Sequence, residues 1–147
     1  MKPSPFAEWR SWQRMTPRLY SRAHGRKHVE VWVEPSFAEA YTSGRTPFPV
    51  GFKVAKVAFR SADSDEVVLV NGMEKRSDYD PDDHDWYYEV LDAKGRSRAS
   101  GRIPMCIDCH SMVEELDYLY RPQGTGTWKH GWPVVPPKES AEPPANE

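Results

Sequence analysis

The sequence predicts an α+β fold: a β-meander of about five strands flanked by helices, with a further helix carrying Cys106 to His110 after the last strand. Three observations predict it. Stretches with apolar residues at every second position recur from residue 29 to residue 103. Proline, glycine and aspartate clusters separate them. Beyond the last strand, apolar residues fall at 112, 113, 116 and 119, which is helical spacing.

Taken in order, Pro5 to Met15 is helix-like, with Phe6, Trp9, Trp12 and Met15 three residues apart, and serves as a tether over one side of the core. Thr16-Pro17 ends it, and residues 20–26 are polar loop in which His24, like nearby His28, reads as a surface histidine. Val29, Val31 and Val33 alternate with Glu30, Trp32 and Glu34, a strand with one apolar face. Pro35-Ser36 opens a short helix from Phe37 to Thr42, closed at Gly44. Pro47 to Gly51 is a rigid turn, and a second strand runs from Phe52 to Arg60.

Lys56 lies within that strand on the side of Phe52, Val54 and Ala58. It is either a lysine whose stem snorkels from an edge strand or one aimed at a cofactor. Lys53, on the other side, reads as a solvent lysine. Val67 to Lys75 is a third strand, with Val67, Leu69, Asn71 and Met73 on one face. The acidic turn Asp78 to Asp85 mimics several positions of a calcium loop, but Asp83 stands where such a loop needs glycine. Asp85 to Asp92 is a fourth strand, with Trp86, Tyr88 and Val90 on one face, and Ser97 to Ile103 a fifth. Pro104 leads into Cys106-Ile107-Asp108-Cys109-His110.

That last segment reads C-x-x-C-H, the pattern of covalent haem attachment. Two thiols three positions apart can each add to a haem vinyl group, and the next residue offers an imidazole to the iron. A zinc site would want four ligands, and these are the only two cysteines. A redox dithiol has no need of the adjacent histidine. The helical spacing after His110 puts the cysteines and His110 on the first turns of one helix.

With 147 residues the chain is long enough for one domain holding a core and one cofactor. Residues 1–120 form that domain; residues 121–147 are an extension, mostly a Pro-rich tail. A net charge of −2 argues against nucleic acid as a partner. Residues 1–28 hold seven Lys/Arg against one acid, and residues 63–92 eleven Asp/Glu against two bases. These blocks are either two solvated faces or a steering field for a redox partner. No apolar run is long enough for a membrane span. Residues 1–22 lack the apolar stretch of a signal peptide, so the periplasmic location expected for a c-type haem protein implies an export signal outside this sequence.

The order of these pieces resembles the cytochrome P-460 family, which includes the cytochromes c′-beta. The segments that carry the resemblance are Val29 to Pro35, Pro47 to Lys56, Tyr79-Asp80-Pro81 with Asp85-Trp86, and Cys106 to His110 with Asp117-Tyr118. The resemblance implies an antiparallel β-sheet flanked by helices, a homodimer, and one covalent haem c per chain with His110 as proximal ligand. It also implies a distal side open to nitric oxide, hydroxylamine or a similar small ligand. Lys56 matches the strand lysine that the P-460 branch joins to the porphyrin while oxidising hydroxylamine; the c′-beta branch has no such bond and binds diatomic gases. Asn71 stands where the resemblance aligns a distal carboxylate, and Val29 where it aligns a distal arginine. An amide can hydrogen-bond a ligand but cannot act as a base near neutral pH.

Three activities are therefore in play. The chain could be a hydroxylamine oxidoreductase, with Lys56 and Asn71 at the reacting ligand. It could be a gas-binding cytochrome, its pocket restricted by Phe52, Val54, Phe59, Leu69 or Met73. An electron carrier would need a second axial ligand, for which Met73, Met112 and His84 are the candidates.

Overall fold

The computed structural model of the chain describes residues 3–21 and 27–120. The readings made for His24 and for the tail after residue 120 lie outside them. Strands β3 (Lys27–Val33), β4 (Lys53–Phe59), β5 (Val67–Lys75), β6 (Trp86–Asp92) and β7 (Ser97–Gly101) pair antiparallel in chain order. Lys56 in β4 stands opposite Val31 in β3 and Asn71 in β5, and Asn71 in turn opposite Val90 in β6. Two short strands, β1 (Gln13–Arg14) and β2 (Leu19–Ser21), share the outer edge of β3. The sheet thus has seven strands among the described residues, not about five. Strands of two and three residues have no room for visible alternation; pairing with β3 creates them.

The predicted N-terminal helix is instead a pair of turns, with one 3₁₀ segment at Trp9–Ser11. A spacing of three is the 3₁₀ period, so Phe6, Trp9 and Trp12 still fall on one side. They cover the sheet face formed by Ala55, Val57, Phe59, Val70 and Leu91, and the tether role holds. Met15 goes elsewhere: its amide bonds to Val31 O at 2.7 Å, and its side chain joins the opposite face. That second face packs Val31, Val33, Phe52, Val54, Met73, Trp86 and Tyr88 against Tyr41, Phe48, Tyr118 and Leu119. A register shift between Ala58 and Phe59 pairs Phe59 with Val67. This bulge swings Val67 to the tether side, away from Leu69, Asn71 and Met73. Nor is Glu30 on a solvent face: it is 3 % exposed, because β1, β2 and the tether cover that side of β3.

Between β3 and β4, a 3₁₀ turn at Pro35–Phe37 leads into α1 (Ala38–Ser43), ended by Gly44 in the left-handed conformation (φ 67°). After β7 comes α2 (Pro104–His110), with Pro104 in the first turn. No helix among the described residues is long and apolar enough to cross a membrane.

One glycine is fixed by packing. A Cβ on Gly72 would sit 2.5 Å from the Phe6 ring, which is fully buried and edge-on to Trp12. Gly72→Ala is expected to push the tether off β5 and cost about 1–3 kcal/mol, read as a lower urea midpoint.

Candidate functional site

Helix α2 holds the motif. Cys106 and Cys109 are i,i+3 neighbours on one helix face, and His110 closes the last turn. Ile103, Cys106 and Ile107 pack on the second sheet face, which seats the helix on the sheet, while Cys109 is exposed. Both thiols are free. The long helix expected after the motif does not form. A 3₁₀ segment, Ser111–Leu116, follows instead, broken at Val113 (φ −119°, ψ 45°). Val113 is fully buried and Met112 is 71 % exposed, so the apolar residues past His110 do not share one stripe. The motif therefore occupies the end of a short helix rather than the start of a long one.

His110 is fixed by its neighbours. Its Nδ1 lies 2.7 Å from Tyr118 O; a carbonyl only accepts, so Nδ1 carries the proton and Nε2 keeps its lone pair. Burial, opposed by the bond to Tyr118 and aided by the Lys56 charge, lowers the imidazole pKa to about 4. The ring is neutral at physiological pH, as a metal ligand must be. It lies against Tyr88 (5.7 Å between ring centroids) and edge-on to Tyr120 (5.2 Å). The Tyr120 hydroxyl bonds to Cys109 O at 2.7 Å and reaches Cys109 Sγ at 3.8 Å.

Lys56 projects from β4 toward this helix. Burial, partly opposed by the charge of Cys109, brings its ammonium down to about 8, which places the lysine within the field of the second cysteine. Lys53 points the opposite way, 3.8 Å from both Glu34 and Glu74. It is half-buried between two carboxylates rather than free in solvent. Asn71 stands beside Lys56 in the sheet, its Nδ2 buried without a hydrogen-bond partner among the described residues. Tyr88, on the same face, is 2 % exposed and its hydroxyl is likewise unpartnered; burial raises its pKa. Buried donors without acceptors are costly, and here they point to a group that would sit between sheet and helix.

Cys106, Cys109, His110, Lys56 and Asn71 are thus gathered on one side of the sheet. Phe59 is not: it belongs to the tether face and cannot restrict a pocket beside Lys56. Met73 is 6 % exposed within the core, Met112 faces outward, and His84 Nδ1 is 2.8 Å from Asp117 Oδ1. In the acidic turn, Asp85 Oδ1 accepts from the Asp80 amide and Asp83 Oδ1 from the Tyr118 hydroxyl, both at 2.8 Å. No group of three or more His, Cys, Asp or Glu among the described residues is arranged to hold a metal ion. Sequence reasoning missed Tyr88 and Tyr120 as walls of the site. Strand parity, which put Tyr88 with Trp86, was the available signal for the first.

The donor set fits a haem: two free thiols on one helix face, a neutral imidazole with its Nε2 unprotonated, and unpartnered polar groups on the facing sheet. Comparison with curated proteins finds no match. A family model, Cytochrome P460, matches residues 6–121, which takes in Phe6, Trp9 and Trp12 of the tether, every strand among the described residues and the whole motif. The chain belongs to the cytochrome P460 family of haem proteins.

Proposed function

We propose that this chain is a c-type haem protein, with one haem per chain, that binds or oxidises small nitrogen species such as hydroxylamine and nitric oxide. The bound haem supplies an iron with one open coordination position and a store for an electron. Cys106 and Cys109 hold it through thioethers, and His110 offers Nε2. The observation that carries this reading is the bond from His110 Nδ1 to Tyr118 O, which leaves Nε2 as the only ring nitrogen able to coordinate. Lys56, on the sheet face toward α2, would be the residue to meet the porphyrin, and its lowered pKa makes the neutral, nucleophilic amine accessible near pH 8. Asn71 Nδ2, buried and unpartnered among the described residues, would donate a hydrogen bond to a ligand held there.

Binding is favoured over oxidation by the placement of the strand carboxylates. Glu74 faces Lys53 and Arg76, Glu89 accepts from Ser4 and Tyr87, and Glu30 is held by Arg14 and Arg18. All three belong to the face opposite Asn71, and Asp92, at the end of β6, is tied into its own turn by the Lys94 and Arg96 amides and the Arg96 guanidinium, so none is placed to take a proton from a ligand beside Asn71. In this reading the protein works in the periplasm as a homodimer and exchanges electrons with a redox partner.

The test is maturation of the chain with periplasmic haem-attachment machinery. Intact mass should exceed the polypeptide by one haem, and the ferrous spectrum should be five-coordinate and shift on adding nitric oxide. The bare polypeptide mass would refute the reading. Lys56→Ala is expected to keep the haem attached and to remove any red-shifted, cross-linked Soret signature; a variant that retained that signature would clear Lys56 of the role. Sustained hydroxylamine turnover with an electron acceptor would shift the reading from binder to enzyme.

A further inference from the structure

The carbonyl that orients His110 belongs to a strained piece of chain. Asp117 and Tyr118 both have left-handed backbone, at φ 55° and 68°. Aspartate tolerates that region, but a bulky aromatic residue is strained there. Something must hold the pair in place, and the contacts converge on Asp117. Its side chain is 3 % exposed. Lys75 Nζ donates to Oδ1 at 2.9 Å and to Oδ2 at 2.7 Å. His84 Nδ1 reaches Oδ1 at 2.8 Å, and the Phe48 amide donates to Oδ2 at 2.8 Å. Trp86 Nε1 donates to the Asp117 carbonyl at 2.9 Å.

Lys75 is itself pinned, donating to His84 O at 2.7 Å and lying 4.6 Å above the Trp86 ring. One residue on, the Tyr118 hydroxyl donates to Asp83 Oδ1 and its ring leans on His84 at 4.5 Å. With both ends of Tyr118 fixed, its carbonyl has one direction left, toward His110 Nδ1.

We propose that Asp117, gripped by Lys75, His84 and the Phe48 amide, is a positioning residue for the proximal histidine: it fixes the Tyr118 carbonyl that takes the Nδ1 proton and so sets how strongly Nε2 donates to the iron. This rests on the haem reading above. A hydrogen bond from Nδ1 gives the imidazole partial anionic character and raises its basicity as a ligand. Losing the hub lets Tyr118 relax toward ordinary backbone, and the carbonyl withdraws.

The experiment compares wild type, Asp117→Asn and His84→Leu as matured protein. In the ferrous state, Asp117→Asn should lower the iron–histidine stretching frequency in resonance Raman spectra and make the midpoint potential more positive. His84→Leu removes one of the grips on Asp117 while leaving Lys75 in place, and should shift both quantities the same way by less. A purely structural role would lower thermal stability and leave frequency and potential at wild-type values, which would overturn the proposal. Should Asp117→Asn fail to accumulate, an unshifted frequency and potential in His84→Leu would overturn it equally. If wild type holds no haem, the haem reading fails separately. The His110 Nδ1 proton resonance then decides: protection from exchange in wild type and loss of it in either variant supports the positioning role, and equal protection in all three overturns it.

Discussion

Replacing Cys106 and Cys109 together with alanine is expected to give a folded chain with no covalently bound haem. The two thiols lie one turn apart on α2, with Cys106 half-buried against the core and Cys109 exposed. Removing a half-buried sulfur should cost on the order of 1 kcal/mol or less, since no large cavity opens. In the proposed reading the cofactor would lose both anchors while keeping His110, whose orientation depends on Tyr118 and not on either cysteine. Any haem that remains should be removed by acidified organic solvent, which strips coordinated haem and leaves thioether-bound haem on the chain. Single variants should keep one thioether and load poorly. Cys109→Ala should load better than Cys106→Ala, because Cys106 is the thiol already packed against the sheet. Haem that survived extraction from the double variant would mean another nucleophile, Lys56 first, can hold it alone.

What the sequence disclosed of this site follows from what is local. Alternation placed β3 to β6 and put Lys56 on the side of Phe52 and Val54, and the motif announced itself by spacing. The features that escaped are those set by distant partners. Residues 13–14 and 19–21 are strands only because β3 offers an edge. The bulge at Ala58/Phe59 inverts the face of Val67, and nothing in an apolar run marks where an extra residue is inserted. Helical spacing past His110 failed at Val113, where burying Val113, Tyr118 and Leu119 required a break that leaves Met112 in solvent. Lys75 was visible only as the end of a strand. Its partner Asp117 lies 42 positions away, on the left-handed turn after the motif.

Glu30 carries the second large effect. Glu30→Ala is expected to destabilise the folded protein by about 3–5 kcal/mol. Periodicity assigns Glu30 to a wet face, and the charge distribution assigns the basic residues of the first 28 positions to a solvated or steering surface. Yet Arg14 and Arg18 are both within reach of Glu30 Oε2, at 3.4 and 3.1 Å, and Trp32 Nε1 donates to Oε1 at 2.9 Å. The carboxylate side chain is 4 % exposed and the two guanidinium side chains 5 % and 10 %. Arg18 also donates to the carbonyls of Ser61, Ala62 and Ser64, and its guanidinium lies 3.8 Å over the Phe59 ring. Removing Glu30 therefore takes away the carboxylate that balances two buried guanidinium charges and loosens Arg18, which ties β3 to the β4–β5 connection. An exposed pair supplies the contrast. Arg60 and Glu66 make two 2.8 Å bonds, but their side chains are 62 % and 56 % exposed, so Glu66→Ala should barely move the denaturation midpoint. Because Glu30 lies on the tether face, Glu30→Ala should leave the absorption spectrum of the attached haem unchanged at temperatures where the chain is still folded. A midpoint no lower than that of Glu66→Ala would show that Arg14 and Arg18 find other partners or water. A changed spectrum in the folded variant would show that the two faces of the sheet are coupled, and that the tether reaches the site through the sheet itself.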